Sequence, residues 1–198
     1  MTTAVAASTT GIASALRRLY FVRFGFAIVW AGLMLVVGSS IGPLSAALIV
    51  LYPLFDVAAA IVDARSSRAT GSALGLYVNI AISSLTAIGL VVAVMSGIPA
   101  VLRVWGAWAV VAGIVQLVVG LGRRKLGGQW AMIASGGISV LAGTSFFLQA
   151  TGEGATLSNV AGYAALGGIF FLVSALRLGR TATGGEQDSV VDVAGGPH

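Results

Sequence analysis

The chain has 198 residues, 58% of them hydrophobic and 9% charged, with a formal net charge of +5 and a mean hydropathy of +1.00. So little polar surface cannot cover an apolar core in water, which excludes a soluble globular domain and directs the chain to a bilayer. The absence of cysteine excludes disulfides and thiolate metal sites, and the one histidine, His198, leaves no histidine base or metal site within the fold.

Residues 1–19 open with Ala, Thr and Ser in no periodic order and end near the Arg17, Arg18 pair, so they read as a disordered N-terminal segment. Six apolar stretches follow, at about 20–38, 43–62, 73–95, 101–121, 130–149 and 156–177. Each approaches the roughly 20 residues that a helix needs to cross a bilayer. A barrel would need alternating segments of about ten residues, whereas AALIVLYPLF and IGLVVAVM are apolar on every face. The first stretch is too long for a signal-peptide core and reads as a retained anchor. The connections GSSIGP, SGIPA and ATGEGAT are tight enough to force antiparallel neighbours, while DARSSRATGS and GRRKLGGQ are longer and basic. Residues 179–198 carry Glu186, Asp188 and Asp192 among glycines and read as a flexible acidic tail.

Lys and Arg in short loops stay on the cytoplasmic side of a membrane. Arg17, Arg18, Arg23, Arg65, Arg68, Arg123, Arg124, Lys125, Arg177 and Arg180 all fall on one side of the expected spans, and Arg103 stands alone on the other with Glu153. Both termini are therefore expected in the cytoplasm, and the location expected is a bacterial inner membrane. The same distribution accounts for the sequence pI near 10.5 through topology and anionic lipid head groups, with no nucleic-acid partner.

A Gly, an aromatic ring and a basic residue recur in order three times: Gly32, Tyr52, Arg65; Gly89, Trp108, Arg123; Gly143, Tyr163, Arg177. The aromatic members lie 56 and 55 residues apart, and each copy holds two apolar stretches. The expected fold is thus an all-α membrane protein of six transmembrane helices, arranged as three repeated antiparallel helical hairpins at about 20–65, 73–123 and 130–178 within a domain spanning 20–178.

Small residues mark where helices should meet. Gly25 and Gly32 share the spacing of Gly136 and Gly143, seven residues, which puts each pair on one helix face. Gly89 repeats the later position, and Ala109 with Gly113 and Ala164 with Gly168 form small-xxx-small pairs that permit close backbone approach. Tyr20, Tyr77, Trp130 and Trp105 fit an interfacial aromatic belt. Tyr52, Trp108 and Tyr163 lie deeper and are expected to fill helix contacts.

Asp56 is the acidic residue well inside a span, and a carboxylate there marks a candidate functional site. It precedes Asp63 by seven residues, or about 10 Å at 1.5 Å per residue. Counting inward in the same way brings Arg23, Asn79, Gln116, Ser135 and Ser174 to a similar level. This predicts a polar layer of Arg23, Asp56, Asn79, Gln116 and Ser135 in the cytoplasmic third. One reading is mutual satisfaction, with Asp56 paired to Arg23 or accepting hydrogen bonds from Asn79 and Gln116. The other is a protonatable site that exchanges a proton with the cytoplasm. The equivalent positions in the other copies are Ala112 and Gly167, so copy one is chemically distinct. No nucleophile and base pair and no phosphate-binding loop are present, so no catalytic residue and no cofactor are assigned.

The segments Tyr52-Pro53-Leu54-Phe55-Asp56-Val57, Trp108-Ala109-Val110-Val111-Ala112-Gly113-Ile114-Val115-Gln116 and Tyr163-Ala164-Ala165-Leu166-Gly167-Gly168-Ile169 resemble the HdeD-like acid-resistance membrane protein family over about residues 20–178. Val57 stands where that family commonly has Gly after the Asp. The resemblance implies a six-span inner-membrane protein without an established catalytic mechanism, linked in some members to acid stress. The expected function is non-enzymatic support of membrane stress or acid tolerance. A small transporter or channel, or an accessory subunit, is the alternative. Membrane lipids are the expected partners, with a homo-oligomer or larger membrane complex as the assemblies open to it.

Overall fold

The computed structural model describes the backbone of residues 2–67, 74–122, 124–126, 129–152 and 154–194, and the side chains of 14–65, 74–122, 124–125, 129–152 and 154–179. Arg68, Arg123, Glu153 and His198, with the side chains of Arg180, Glu186, Asp188 and Asp192, lie outside the described residues. The described residues form six long helices: α1 (Thr2–Val37), α2 (Pro43–Ser67), α3 (Leu74–Ala93), α4 (Ile98–Gly122), α5 (Trp130–Gln149) and α6 (Ser158–Ala194). Each contains a segment long and apolar enough to cross a membrane. Helical backbone in α1 and α6 continues into 1–19 and 179–198, the segments expected to be disordered and flexible. Extending an established helix costs much less than nucleating one.

Apolar side chains on every face of a helix leave sterics and polar pairing to decide which face turns inward. Along α1 and α2, Trp30 Nε1 donates to the Leu48 carbonyl oxygen at 2.7 Å, Phe26 packs on Tyr52, and Arg23 pairs with Asp56. Rising numbers on one helix meet falling numbers on the other, so the two run antiparallel. Asn79 and Ser83 link α3 to Asp56 of α2, and Tyr163 links α6 to Ser139 of α5.

Each helix packs on its neighbours in the chain, and α6 packs on α1, which closes a ring. The broadest packing joins α4 to α5 and α1 to α6, and the thinnest seam lies between α5 and α6. At the end of the ring away from the basic residues, the Leu157 N–H donates to the Gly38 carbonyl at 3.2 Å and ties the start of α6 to the end of α1. Gly97, at φ +93°, permits the abrupt reversal from α3 into α4.

The α4 to α5 contact rests on missing side chains. A Cβ on Gly143 would lie 2.6 Å from the Gly106 carbonyl oxygen, and one on Gly113 would lie 2.7 Å from that of Gly136. Gly106, Gly113 and Gly120 recur at seven-residue spacing, which presents a flat stripe to α5. Gly168 meets Ala27, and Gly89 meets Val104, at 3.0 and 3.3 Å in the same sense.

Gly25 and Gly32 correct the sequence reading: both are exposed, with nothing near where a Cβ would stand. The inward face of α1 instead presents Arg23, Ala27, Trp30, Ala31 and Met34. Seven-residue spacing establishes that two glycines share a face without saying which way that face points.

The core fills the half of the ring opposite the basic end. Trp30, Met34, Ile49, Leu90, Leu102, Trp105 and Phe146 are buried there, with Tyr52 and Tyr163 packed against them. Trp105, expected in an interfacial belt, is 0% exposed and stacks on Trp30 with ring centroids 5.3 Å apart. α4 begins at Ile98, three residues before the expected start of the span, because Pro99 suits a first helical turn. That shift carries Trp105 inward. Tyr77 and Trp130 are exposed, as an aromatic belt requires, while Tyr20 turns toward the bundle interior.

Candidate functional site: a cavity beside a buried ion pair

Beneath the aromatic core, toward the basic end, the ring surrounds a partly open cavity of about 290 Å³. All six helices contribute to its wall. Its origin is visible in the repeat. Asp56, Ala112 and Gly167 occupy equivalent positions and all three line the cavity. Where copy one places a carboxylate, the other copies place a methyl group and a hydrogen, and the volume they leave unfilled adds to the cavity. Tyr52, Trp108 and Tyr163, also equivalent, line it as well.

Asp56 is held by three donors from two helices. Arg23 Nη2 donates to Oδ1, while Asn79 Nδ2 and Ser83 Oγ donate to Oδ2 at 2.7 and 2.8 Å. A carboxylate offers about four acceptor sites, so this one is nearly saturated. The side chains of Arg23 and Asp56 are 9% and 16% exposed. The Arg23 guanidinium also lies over the Phe171 ring, 4.4 Å from its centroid, where the negative π face stabilises the cation.

A second layer holds the first. Trp108 Nε1 donates to Ser83 Oγ at 3.2 Å, and Tyr163 donates to Ser139 Oγ at 3.0 Å. Ser83 and Ser139 are 56 residues apart, as are Asn79 and Ser135, and Arg23 and Asn79. The polar layer is therefore a repeated position, Arg23, Asn79 and Ser135, facing the non-identical set Asp56, Ala112 and Gly167.

The structure brings Arg23, Asp56 and Asn79 into one bonded cluster. Gln116 and Ser135 line the same cavity, but the hydrogen bond expected from Gln116 to Asp56 does not form. Gln116 Oε1 is instead buried with no hydrogen-bond partner among the described residues. Ser174 also lines the cavity and donates to the Phe170 carbonyl at 2.8 Å. Ser83, outside the expected polar layer, joins the cluster by donating to Asp56. It stands one helical turn beyond Asn79, on the same face, and that spacing was the available signal. Asp63, read as a marker of the helix end, is buried as well. Arg103 is exposed.

Of the packing glycines, Gly89, Gly113, Gly136, Gly143 and Gly168 lie at close helix contacts outside the cavity wall. No group of three or more His, Cys, Asp or Glu side chains that could hold a metal occurs among the described residues.

A ring of six apolar helices around a cavity with a few polar groups in its wall fits a multi-pass membrane protein. Comparison with known proteins finds no matching family model, no matching curated protein and no matching solved structure.

Proposed function

We propose that this chain is a non-enzymatic, HdeD-like protein of the bacterial inner membrane, built from three antiparallel hairpins with both termini in the cytoplasm, and that it supports membrane stress or acid tolerance through the Arg23–Asp56 pair. The observation that carries this reading is that Asp56, paired with Arg23, stands in the wall of a cavity near the basic end. Basic residues at that end favour its facing the cytoplasm.

Removing one member of a buried pair leaves the other uncompensated, which is strongly unfavourable. Loss of the Asp56 charge would release Arg23 from α2 and weaken the link between α1 and α2, so the pair ties the charge of Asp56 to helix packing. Arg23 is the charge that faces Asp56, with the Tyr52 and Tyr163 phenols in electrostatic range. Asp56→Asn keeps the shape and removes the charge. Cells carrying it should lose acid survival while the protein is still expressed and inserted, and unchanged survival would overturn the proposal.

A transporter is the second reading, favoured by the cavity's six-helix wall. A polar path from there to the other end finds little support: Thr86 and Ser145 spend their hydroxyls on the Ile82 and Ala142 carbonyls, and the aromatic core lies across the way. An accessory subunit would be recognised by co-purification of a larger complex in mild detergent.

A further inference from the structure

We infer that the cavity binds a small, uncharged, flat aromatic molecule bearing one N–H or O–H donor, and that this ligand is loaded sideways from the bilayer through the seam between α5 and α6. The inference rests on the multi-pass reading, which puts lipid outside that seam, and is independent of acid tolerance.

Size and wall chemistry define the ligand. An apolar protein cavity of about 150 Å³ takes up benzene, so about 290 Å³ suits a fused two-ring molecule. Tyr20, Tyr52, Trp108 and Phe170 offer ring faces and edges to it.

Charge is already balanced. Asp56 and Arg23 neutralise each other, and three donors occupy the carboxylate. Neither an added cation nor an added anion finds a free counter-charge, because the Asp56 carboxylate in the wall is already neutralised by Arg23. Gln116 lines the wall, and its Oε1 is packed out of contact with solvent and unpartnered among the described residues, so a turn of the amide toward the cavity would offer an acceptor. A ligand N–H or O–H satisfies it, and a ligand without a donor leaves it unsatisfied.

The route follows from the packing. The α5 to α6 seam is the thinnest in the ring. It is pinned at mid-height by the hydrogen bond from Tyr163 to Ser139, and at the basic end by the Arg177 guanidinium, 5.7 Å from the Trp130 ring centroid. Between these clasps stand Met132 and Leu166, which line the cavity and are also exposed on the outer surface. Beside them Gly167 has no side chain and nothing within 4 Å of where its Cβ would lie. The cavity is partly open, and at this seam two rotatable side chains stand between it and the exterior. An uncharged aromatic molecule concentrates in the bilayer that surrounds this window.

The test uses the whole chain in lipid nanodiscs with 5-fluoroindole as probe, followed by fluorine NMR, with protein-free discs to subtract partitioning into lipid. The probe should bind the protein roughly tenfold more tightly than 5-fluoro-1-methylindole, which lacks the N–H. Gln116→Leu should erase that difference. Gly167→Phe and Ala112→Leu, which fill the cavity from different helices, should each abolish binding of both probes while the protein remains helical and disc-bound. Leu166→Trp should slow exchange of the probe. Equal affinity for the two probes, or no binding, overturns the ligand assignment, as does binding retained in either filled variant. Unchanged exchange in Leu166→Trp overturns the lateral route. Failure of the multi-pass reading would show separately, as protein that does not enter the discs.

Discussion

The Arg23–Asp56 pair can be tested as an energetic unit by a double-mutant cycle. Asp56→Asn leaves the Arg23 side chain, 9% exposed, without its counter-charge. Breaking a buried pair in this way costs about 3–5 kcal/mol. Arg23→Met leaves the Asp56 carboxylate with its bonds from Asn79 and Ser83, which places its loss nearer to about 3 kcal/mol. The double variant buries no charge and forfeits about one hydrogen bond to a charged group, or about 1.5–3 kcal/mol. The two single losses then exceed the double loss by about 3 kcal/mol or more, in line with about 4 kcal/mol for unit charges 4 Å apart at an effective dielectric of 20. The assay is reversible unfolding in mixed micelles of rising denaturing-detergent fraction, followed by helix content. Losses that add to within about 0.5 kcal/mol would refute the coupling and with it the view of the pair as a latch between α1 and α2.

Further outcomes follow from packing. Gly143→Ala would place a methyl group 2.6 Å from the Gly106 carbonyl oxygen. The helices must separate, lowering stability by about 1–3 kcal/mol, whereas Gly32→Ala, in open space, should change it by less than about 0.5 kcal/mol; the same unfolding assay compares them. Trp30→Phe removes the buried hydrogen bond to the Leu48 carbonyl and should cost about 1 kcal/mol more than Trp105→Phe, because Trp105 Nε1 has no partner to lose among the described residues. Equal losses from the two tryptophans would count against that bond.

Position along the membrane normal was readable from the chain, and direction around each helix was not. Rise per residue is a constant of the helix, so counting from basic ends brought Asp56, Asn79, Gln116 and Ser135 to one level, and all four line the cavity. Rotation depends on which neighbours a helix meets. Gly25 and Gly32 therefore proved to face outward, while Gly106 and Gly120, at the same spacing from Gly113, face α5. In a soluble helix a polar stripe reveals the outer face, but in a chain apolar all round that contrast is missing. Trp105 was misplaced for a related reason, since a helix start displaced by three residues moves a ring from interface to core. The cavity itself follows from Ala112 and Gly167 being small where Asp56 is not, a difference visible in the repeat whose consequence depends on all three positions facing inward.

The central claim is a closed ring in which the first and last spans are neighbours. The natural chain has no cysteine, so an engineered pair reports contact without background. A Cβ on Gly168 would stand 3.0 Å from that of Ala27, close to the separation of about 3.5–4.5 Å that a disulfide spans. The measurement is oxidation of the Ala27→Cys, Gly168→Cys chain in membranes, followed by cleavage at a protease site introduced between α4 and α5 and a non-reducing gel. In a closed ring the two halves stay joined until reductant is added, and a Gly32→Cys, Gly168→Cys control separates at once. Separation of both chains alike would contradict the ring.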